Sequence, residues 1–196
     1  HVRSRRQRQM CIRDRFGEDL VRAMRIAKDL GLTSRMQIVA PNLTQSIVEQ
    51  AGPGLMEGVV GTEPWTWRVP ELENSAPGKA FVKAYSERYA MYPSSSAASA
   101  YSIVQQWADA AKRAGSLDSE ALIKALEGHS YALLKDRQQW RSFDHQNIQT
   151  VYAVKVKPRA EVLKDPLKQD YFEIVERLDG GCLLYTSDAA DDSLRV

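Results

Sequence analysis

The sequence predicts an α/β fold in which a βαβ-type parallel sheet is flanked by helices. The order helix, strand, helix, strand with short links between residues 17 and 62 is typical of a βαβ unit. Three helical segments then follow between Pro77 and Gly128, and Pro93 interrupts them once because proline cannot continue a helix. After residue 140 the apolar residues alternate as in strands. Three consecutive helices with one break indicate a connection between two lobes.

The first βαβ unit is predicted from apolar spacing and from the residues that end each element. Residues 17–30 form an amphipathic helix, and Gly31 follows its end. Met36 to Ala40 is a short apolar strand. Thr44 caps a short helix that runs through Glu49, and Gly58 to Thr62 is the second strand.

The central helices and the last strands complete the predicted fold. Lys79 to Met91 and Ala97 to Ala114 have helical spacing. Ser94 to Ser96 can cap the second of these helices, and Gly115 ends it. A third helix is capped by Ser116 or Asp118 and ends at Gly128. Trp140 to Phe143 and Thr150 to Lys157 are predicted to form a hairpin whose turn is Asp144 to Asn147, and Tyr171 to Leu178 is predicted to be an edge strand.

The two ends of the chain, 1–15 and 181–196, are predicted to be non-native flanks. Met10 to Arg15 and Cys182 to Ser187 can be encoded by inverted copies of one DNA sequence, read in different frames. Such a pair resembles read-through of a transposon-end sequencing adapter. We therefore exclude both flanks from the prediction of the fold.

Without these flanks the chain carries no excess of basic residues. Of 27 Lys and Arg, 7 lie in the ends, and of 25 Asp and Glu, 4 do, which leaves 20 and 21 and a net charge of −1 for residues 16–181. A nucleic-acid partner is therefore not expected. Both cysteines, Cys11 and Cys182, also lie at the ends, so the rest of the chain contains none, which is compatible with an oxidising compartment.

Catalytic and metal-binding patterns are sparse in residues 16–180. His129 and His145 have no nucleophile at a recognisable spacing, and two isolated histidines are too few ligands for a metal. The sequence therefore predicts no enzyme, no metal and no cofactor. One alternative stays open, in which Asp144 and His145 act as the acid–base site of a cytoplasmic α/β enzyme fragment.

A family resemblance rests on an ordered series of motifs in residues 78–128. They read GKAFVKAYSERYAMYPSSSAASAYSIVQQWADAAKRAGSLDSEALIKALEG. This series resembles the solute-binding proteins of branched-chain amino-acid-type ABC importers, which have the type I periplasmic binding fold, and the resemblance extends from about Phe16 to about Gly180. It implies a C-terminal portion of such a protein. Residues 16–92 belong to the second lobe, and residues 93–180 hold crossover helices, a hairpin and closing elements of the first lobe.

Ligand contacts are predicted where strands end, because ligands of open α/β sheets lie beyond the carboxyl ends of the strands. Asn42 and Thr44 follow the first strand, and Glu63, Trp65 and Trp67 follow the second. Two indoles offer flat apolar faces and N–H donors. Simple capping by Asn42 and Thr44, and simple packing of the tryptophans, remain open alternatives.

The resemblance also implies partners, location and a limit on the ligand. Amino-acid-specific members often carry an acid after the strand that ends here at Ala40, but residues 36–48 contain none, and Glu63 is the candidate replacement. We expect a periplasmic, monomeric protein that binds a small solute and delivers it to an ABC permease. The solute is amino-acid-like, an amide, or an aromatic or aliphatic carboxylate. The signal peptide is expected to lie outside this fragment.

Overall fold

The computed structural model describes residues 17–181, so the predicted flanks lie almost entirely outside the described residues. The helices are α1 (Glu18–Asp29), α2 (Gln45–Ala51), α3 (Pro53–Met56), α4 (Val69–Leu72), α5 (Ala76–Tyr89), α6 (Ser95–Ala114), α7 (Ser119–Leu126) and α8 (Arg159–Val162). The strands are β1 (Val39–Ala40), β2 (Val60–Glu63), β3 (Ser130–Tyr131), β4 (Gln138–Trp140), β5 (Asn147–Ile148), β6 (Val151–Val156) and β7 (Phe172–Leu178). No helix of residues 17–181 is long and apolar enough to cross a membrane.

The strands form two sheets. The larger sheet has the order β1-β2-β6-β7, with β1 parallel to β2 and the other pairs antiparallel. The smaller sheet has the order β3-β4-β5. The parallel pair with α2 and α3 between its strands confirms the predicted βαβ unit and the α/β fold class. The edge position predicted for the last strand is also confirmed.

The N-termini of α6 and α7 are capped by side chains that the sequence predicts as caps. Ser94 accepts a hydrogen bond from Ala97 N at 3.2 Å at the start of α6, and Gly115 ends that helix with a φ of 62°. Asp118 accepts from two backbone N–H groups at the start of α7. Each cap satisfies backbone groups that a helix end leaves without an intrahelical partner, so these boundaries are fixed locally.

The first predicted strand is shorter than expected. Val39 and Ala40 pair with β2, and the carbonyl oxygen of Ile38 accepts one further hydrogen bond from Val60 N at 3.1 Å. Among the described residues β1 lies at the edge of the sheet, with β2 as its strand partner. Met36 is 57% exposed and Val39 is 64% exposed, so their apolar side chains are not drawn into the core of the described residues.

The predicted hairpin between residues 140 and 157 is wrong. Strand β4 pairs with β5 across the turn, whereas β6 pairs with β2 and β7 in the larger sheet. The reason is burial: Tyr152 and Val154 are fully buried and Val156 is 1% exposed, so one face of β6 fills the core. Since this sheet takes strands from both residues 16–92 and residues 93–180, it does not separate the two predicted lobe parts, and that division stays a prediction.

The core lies against the larger sheet and continues past the end of β2. Leu43, Met56, Val69 and Val154 are fully buried and belong to one cluster with Trp65. Full burial of such side chains contributes on the order of 1.5–3 kcal/mol each. Close packing continues to β2 itself, because a methyl group on Gly61 would overlap the backbone of β1. This packing fixes the position of the residues that follow Glu63.

Candidate functional site

A narrow crevice lies at the carboxyl end of β2, where the chain leaves the larger sheet. Glu63 is the last residue of β2, and the next residues continue without strand structure. The crevice is lined by Gln45, Glu63, Trp65, Thr66, Trp67, Arg68, Ser95, Gln169, Asp170 and Phe172. Its internal space is about 10 Å³, which is the scale of one water molecule. The crevice therefore holds side-chain groups close together but has no internal room for a solute.

Glu63 is a buried carboxyl group. Its side chain is 1% exposed, and neither carboxyl oxygen has a hydrogen-bond partner among the described residues. Burial raises the pKa of Glu63 to about 7, while the nearby Ser95 hydroxyl acts in the opposite direction without forming a hydrogen bond of standard geometry. A donor or cationic group brought to this carboxyl would find two free acceptors in a poorly hydrated place, where such bonds are strong.

Trp65 lies inside the core rather than on an open surface. It is 4% exposed, and its indole N–H donates to the carbonyl oxygen of Leu134 at 3.4 Å. Its ring meets the ring of Phe81 edge-on, with 6.1 Å between the centroids. These contacts make Trp65 a rigid wall of the crevice and leave its donor occupied.

Trp67 is half-buried and packs against other side chains of the same chain. Its ring stacks on Tyr92 with 3.9 Å between the centroids and an angle of 9° between the planes. The guanidinium carbon of Arg68 lies 4.4 Å from the centroid of the same ring. Because a stacked ring and a guanidinium group both lie on the indole, much of its flat surface is already covered.

An ion cluster forms another part of the crevice wall. Asp170 accepts hydrogen bonds from Arg68 Nε at 3.1 Å and Nη2 at 2.5 Å, and from Lys157 Nζ at 2.6 Å. Burial acts to raise the pKa of Asp170, but the hydrogen bonds from Arg68 and Lys157 together lower it below its usual value. The cluster joins the turn after β2 to the segment before β7, and its carboxylate is already neutralised.

Lys135 fixes the segment that carries Trp65. The side chain is 3% exposed, and its ammonium donates to the carbonyl oxygens of Pro64 and Thr150, each at 2.7 Å. Burial lowers the pKa of Lys135 to about 8. Pro64 follows β2 and Thr150 precedes β6, so one side chain ties together the two places where the chain leaves and re-enters the larger sheet.

Asn42 and Thr44 lie at the same sheet edge but not in the crevice lining. They follow β1, which runs parallel to β2, so both strand ends meet at this edge. Asn42 is exposed, and the hydroxyl of Thr44 accepts from the backbone N–H of Ile47 at 3.4 Å at the start of α2. The structure thus brings Glu63, Trp65 and Trp67 together in one lining and leaves Asn42 and Thr44 beside it.

Asp144 and His145 are exposed and have different partners. Asp144 is paired with Arg141 through both carboxylate oxygens, and these hydrogen bonds lower the pKa of Asp144. His145 Nε2 lies 3.0 Å from a carboxylate oxygen of Glu127. Within residues 17–181 no group of three His, Cys, Asp or Glu is arranged to hold a metal ion. This turn contains an Arg–Asp pair and a separate His–Glu pair rather than an Asp–His pair.

Several lining residues were missed by the sequence reasoning. From the sequence, Ser95 is one of the candidate caps of the second central helix, and Arg68, Gln169 and Asp170 have no predicted role, but all four line the crevice. They lie far from Glu63 along the chain or carry no recognisable motif. Their only common signal, polar residues that meet at one sheet edge, exists in the fold alone.

A βαβ-based sheet flanked by helices, with a crevice at a strand's carboxyl end, defines an α/β protein of the kind that binds ligands at this edge. Residues 15–161 match the model of a protein family described as periplasmic binding protein. Because this match covers most of the sequence, the chain belongs to that family. The predicted resemblance is thereby confirmed. No curated protein matches the chain.

Solved structures show the same fold. A periplasmic binding protein from Burkholderia mallei is 27% identical with a TM-score of 0.71, and the match covers 85% of this chain and 42% of that chain. An amino acid ABC transporter substrate-binding protein from Pseudomonas fluorescens Pf-5 is 23% identical with a TM-score of 0.74, covering 84% and 43%. A solute binding protein of an ABC transporter from Rhodopseudomonas palustris BisB5, in complex with 3,4-dihydroxy benzoic acid, is 21% identical with a TM-score of 0.63, covering 80% and 41%. The chain thus spans less than half the length of these proteins.

Proposed function

We propose that the protein to which this chain belongs binds a small solute between two lobes and delivers it to an ABC importer. The family match over residues 15–161 carries this proposal. Closure of two lobes about a hinge is a general way in which such α/β proteins enclose a ligand. The protein acts in the periplasm by binding and release, without catalysis, as a monomer that meets the permease.

The sheet edge after β1 and β2 supplies one wall of the solute site in this proposal. Glu63 is the acceptor for a donor group of the solute in this proposal, because both of its carboxyl oxygens lack a partner among the described residues. Since Glu63 is 1% exposed, lining side chains of the crevice have to move aside for that contact. Trp65 and Trp67 give this wall its apolar surface, and Asn42 and Thr44 extend it along the edge. The small internal space of the crevice means that the solute lies against its mouth, with the facing wall supplied by the other lobe.

The chemistry of this wall favours a largely apolar solute with one donor group. The neighbouring carboxylate, Asp170, is already paired with Arg68 and Lys157, so it is not available to an ammonium group of the solute. Two of the similar structures are named for amino acid transport and for a complex with an aromatic acid. Amino-acid-like molecules, amides and aromatic or aliphatic carboxylates are therefore the solutes to test.

Calorimetric titration of the full-length protein with such a panel tests the proposal. Trp65→Ala and Trp67→Ala are each expected to weaken solute binding by at least about 1–3 kcal/mol, the scale of burying a large side chain. Because Trp65 lies in the core, Trp65→Ala is also expected to destabilise the fold by about 3–5 kcal/mol, so Trp67→Ala is the cleaner test of the site. Phe143→Ala serves as the control, because Phe143 is 70% exposed and does not line the crevice. If no solute of the panel binds, the proposed function fails. If a solute binds equally well to folded variants of both tryptophans, only the site assignment fails.

A further inference from the structure

The described residues pack as two parts that are connected at two places along the chain. Residues 17–63 and 151–181 contain the larger sheet with α1, α2, α3 and α8, and we call them the sheet part. Residues 64–150 contain α4 to α7 and the smaller sheet, and we call them the helical part. Among the described residues the extensive contacts between elements lie within one part or the other, although a few side chains such as Val69 reach across into the core. The chain passes between the parts where β2 ends and where β6 begins.

Lys135 contacts both of these passages through one ammonium group. Its Nζ donates to the carbonyl oxygens of Pro64 and Thr150, each at 2.7 Å. The backbone pairing of β2 with β6 ends at Glu63 and Tyr152, and the next residue of the first passage is a proline, which has no N–H to continue it. The ammonium therefore joins the two passages just beyond the point where backbone pairing stops, and it gives both carbonyl groups a donor in a place with little water.

Charged groups from both parts surround this ammonium. Its Nζ lies 5.6 Å from the centroid of the Tyr152 ring, in the sheet part. Asp136 and Glu73, in the helical part, each accept a hydrogen bond at 2.8 Å from Arg177, in the sheet part. Burial lowers the pKa of Lys135 to about 8, and the two carboxylates act in the opposite direction. A network of polar contacts thus crosses between the parts at this one place, with the buried ammonium at its centre.

The crevice takes its lining from both parts. Ser95 belongs to the helical part, whereas Asp170 and Phe172 belong to the sheet part, and Glu63 lies where β2 ends. A rotation of one part relative to the other changes the distances among these groups. Because Glu63 is enclosed, its carboxyl becomes reachable only when such distances change. The orientation of the parts therefore sets the shape of the crevice, and Lys135 acts on that orientation without lining the crevice itself.

We propose that Lys135 is a positioning residue that holds the two parts in one orientation, and that they turn about its ammonium group when the crevice opens to a solute. This inference rests on the proposed function of the crevice. An ammonium is a compact charge with three rotatable donors on a flexible stem, so it keeps its hydrogen bonds to Pro64 and Thr150 while the two carbonyl groups change direction. A few residues at the ends of elements commonly absorb the backbone change of such a rotation.

The proposal is tested on the full-length protein without any solute, with spin labels on Arg25→Cys in the sheet part and Glu120→Cys in the helical part, both exposed positions. Double electron–electron resonance measures the distribution of distances between the labels. Lys135→Met removes the shared donor, so the width of this distribution is expected to rise about twofold or more. Lys155→Met is the matched control, because Lys155 is an exposed lysine on β6, and it is expected to leave the width unchanged.

A second pair of labels, on Arg25→Cys and Glu173→Cys, lies entirely within the sheet part and is expected to keep its width in Lys135→Met. The proposal is overturned if the distance between the parts keeps its width in Lys135→Met, or if both pairs broaden equally, which would show general loosening of the fold. Since no solute is present, these outcomes are independent of the calorimetric test of the proposed function.

A pH series provides a second measurement that holds even where Lys135→Met fails to fold. Lys135 loses its proton between pH 7 and pH 9, and a neutral amine forms weaker hydrogen bonds than an ammonium. The distribution between the parts is expected to broaden over this range, in a Glu63→Gln background that removes the titration of the crevice carboxyl. Arg177 and Tyr152 keep their protons there because the pKa of each is raised. A distribution that is the same at pH 7 and pH 9 would overturn the proposal.

Discussion

Glu63→Gln is expected to change the pH dependence of stability. The substitution replaces a buried carboxyl with a neutral amide of nearly the same shape. Burial raises the pKa of Glu63 from 4.5 to about 7 in the folded protein, whereas the unfolded chain keeps the ordinary value. Between these two values the folded state holds a proton that the unfolded state has released. The free energy of unfolding therefore falls as pH rises through this range.

The size of the effect follows from the difference between the two pKa values. A difference of about 2.5 units, at about 1.36 kcal/mol for each unit, corresponds to roughly 3 kcal/mol of stability lost between pH 4.5 and pH 7 and still absent at pH 8. The amide of the Glu63→Gln variant cannot ionise, so the variant does not lose this stability. The variant is thus expected to be similar to the parent protein near pH 5 and more stable by up to about 3 kcal/mol at pH 8.

Urea unfolding at pH 5, 6, 7 and 8, followed by tryptophan fluorescence, measures this difference. Glu173→Gln is the control, because Glu173 is an exposed carboxylate on β7 and its neutralisation leaves the core unchanged. Asp170, whose pKa is lowered, loses its stabilising effect only as pH falls below the range used, so it does not confuse the result. An equal stability difference between parent and Glu63→Gln at pH 5 and pH 8 would refute the reasoning.

Three further predictions concern packing, the ion cluster and the completeness of the site. Gly61→Ala is expected to destabilise the fold by about 1–3 kcal/mol because its methyl group would overlap the backbone of β1, whereas Gly54→Ala, where the new methyl meets only ordinary contact, should be nearly neutral by urea unfolding. Asp170→Asn leaves two cations without their carboxylate and is expected to cost about 1.5–3 kcal/mol at pH 7; equal stability in urea would show that the cluster is only a surface contact. The 196-residue chain is expected to bind the solute of the full-length protein much more weakly, because one wall of the site is missing, and calorimetry that finds equal affinity would show that this chain is a complete binding module.

The sequence alone determined the elements whose signals are local. Ser94 caps α6 and Asp118 caps α7, each of them one of the predicted candidates, and Gly115 ends α6, because capping hydrogen bonds join atoms within a few residues of one another. The βαβ unit followed from the order of short elements. The family followed from the ordered series of motifs in residues 78–128, and the match over residues 15–161 confirmed it.

Only the tertiary structure decided the partner of β6 and the surroundings of the candidate site residues. The alternation of residues 151–156 fits a hairpin and a central strand equally well, and burial of Tyr152 in the larger sheet selects the second arrangement. Likewise, the sequence places Glu63 and Trp67 near a strand end, but the isolation of the carboxyl and the stacking of the indole on Tyr92 depend on residues distant along the chain. Local spacing specifies which face of an element is apolar, whereas the contacts of that face depend on which distant segment covers it.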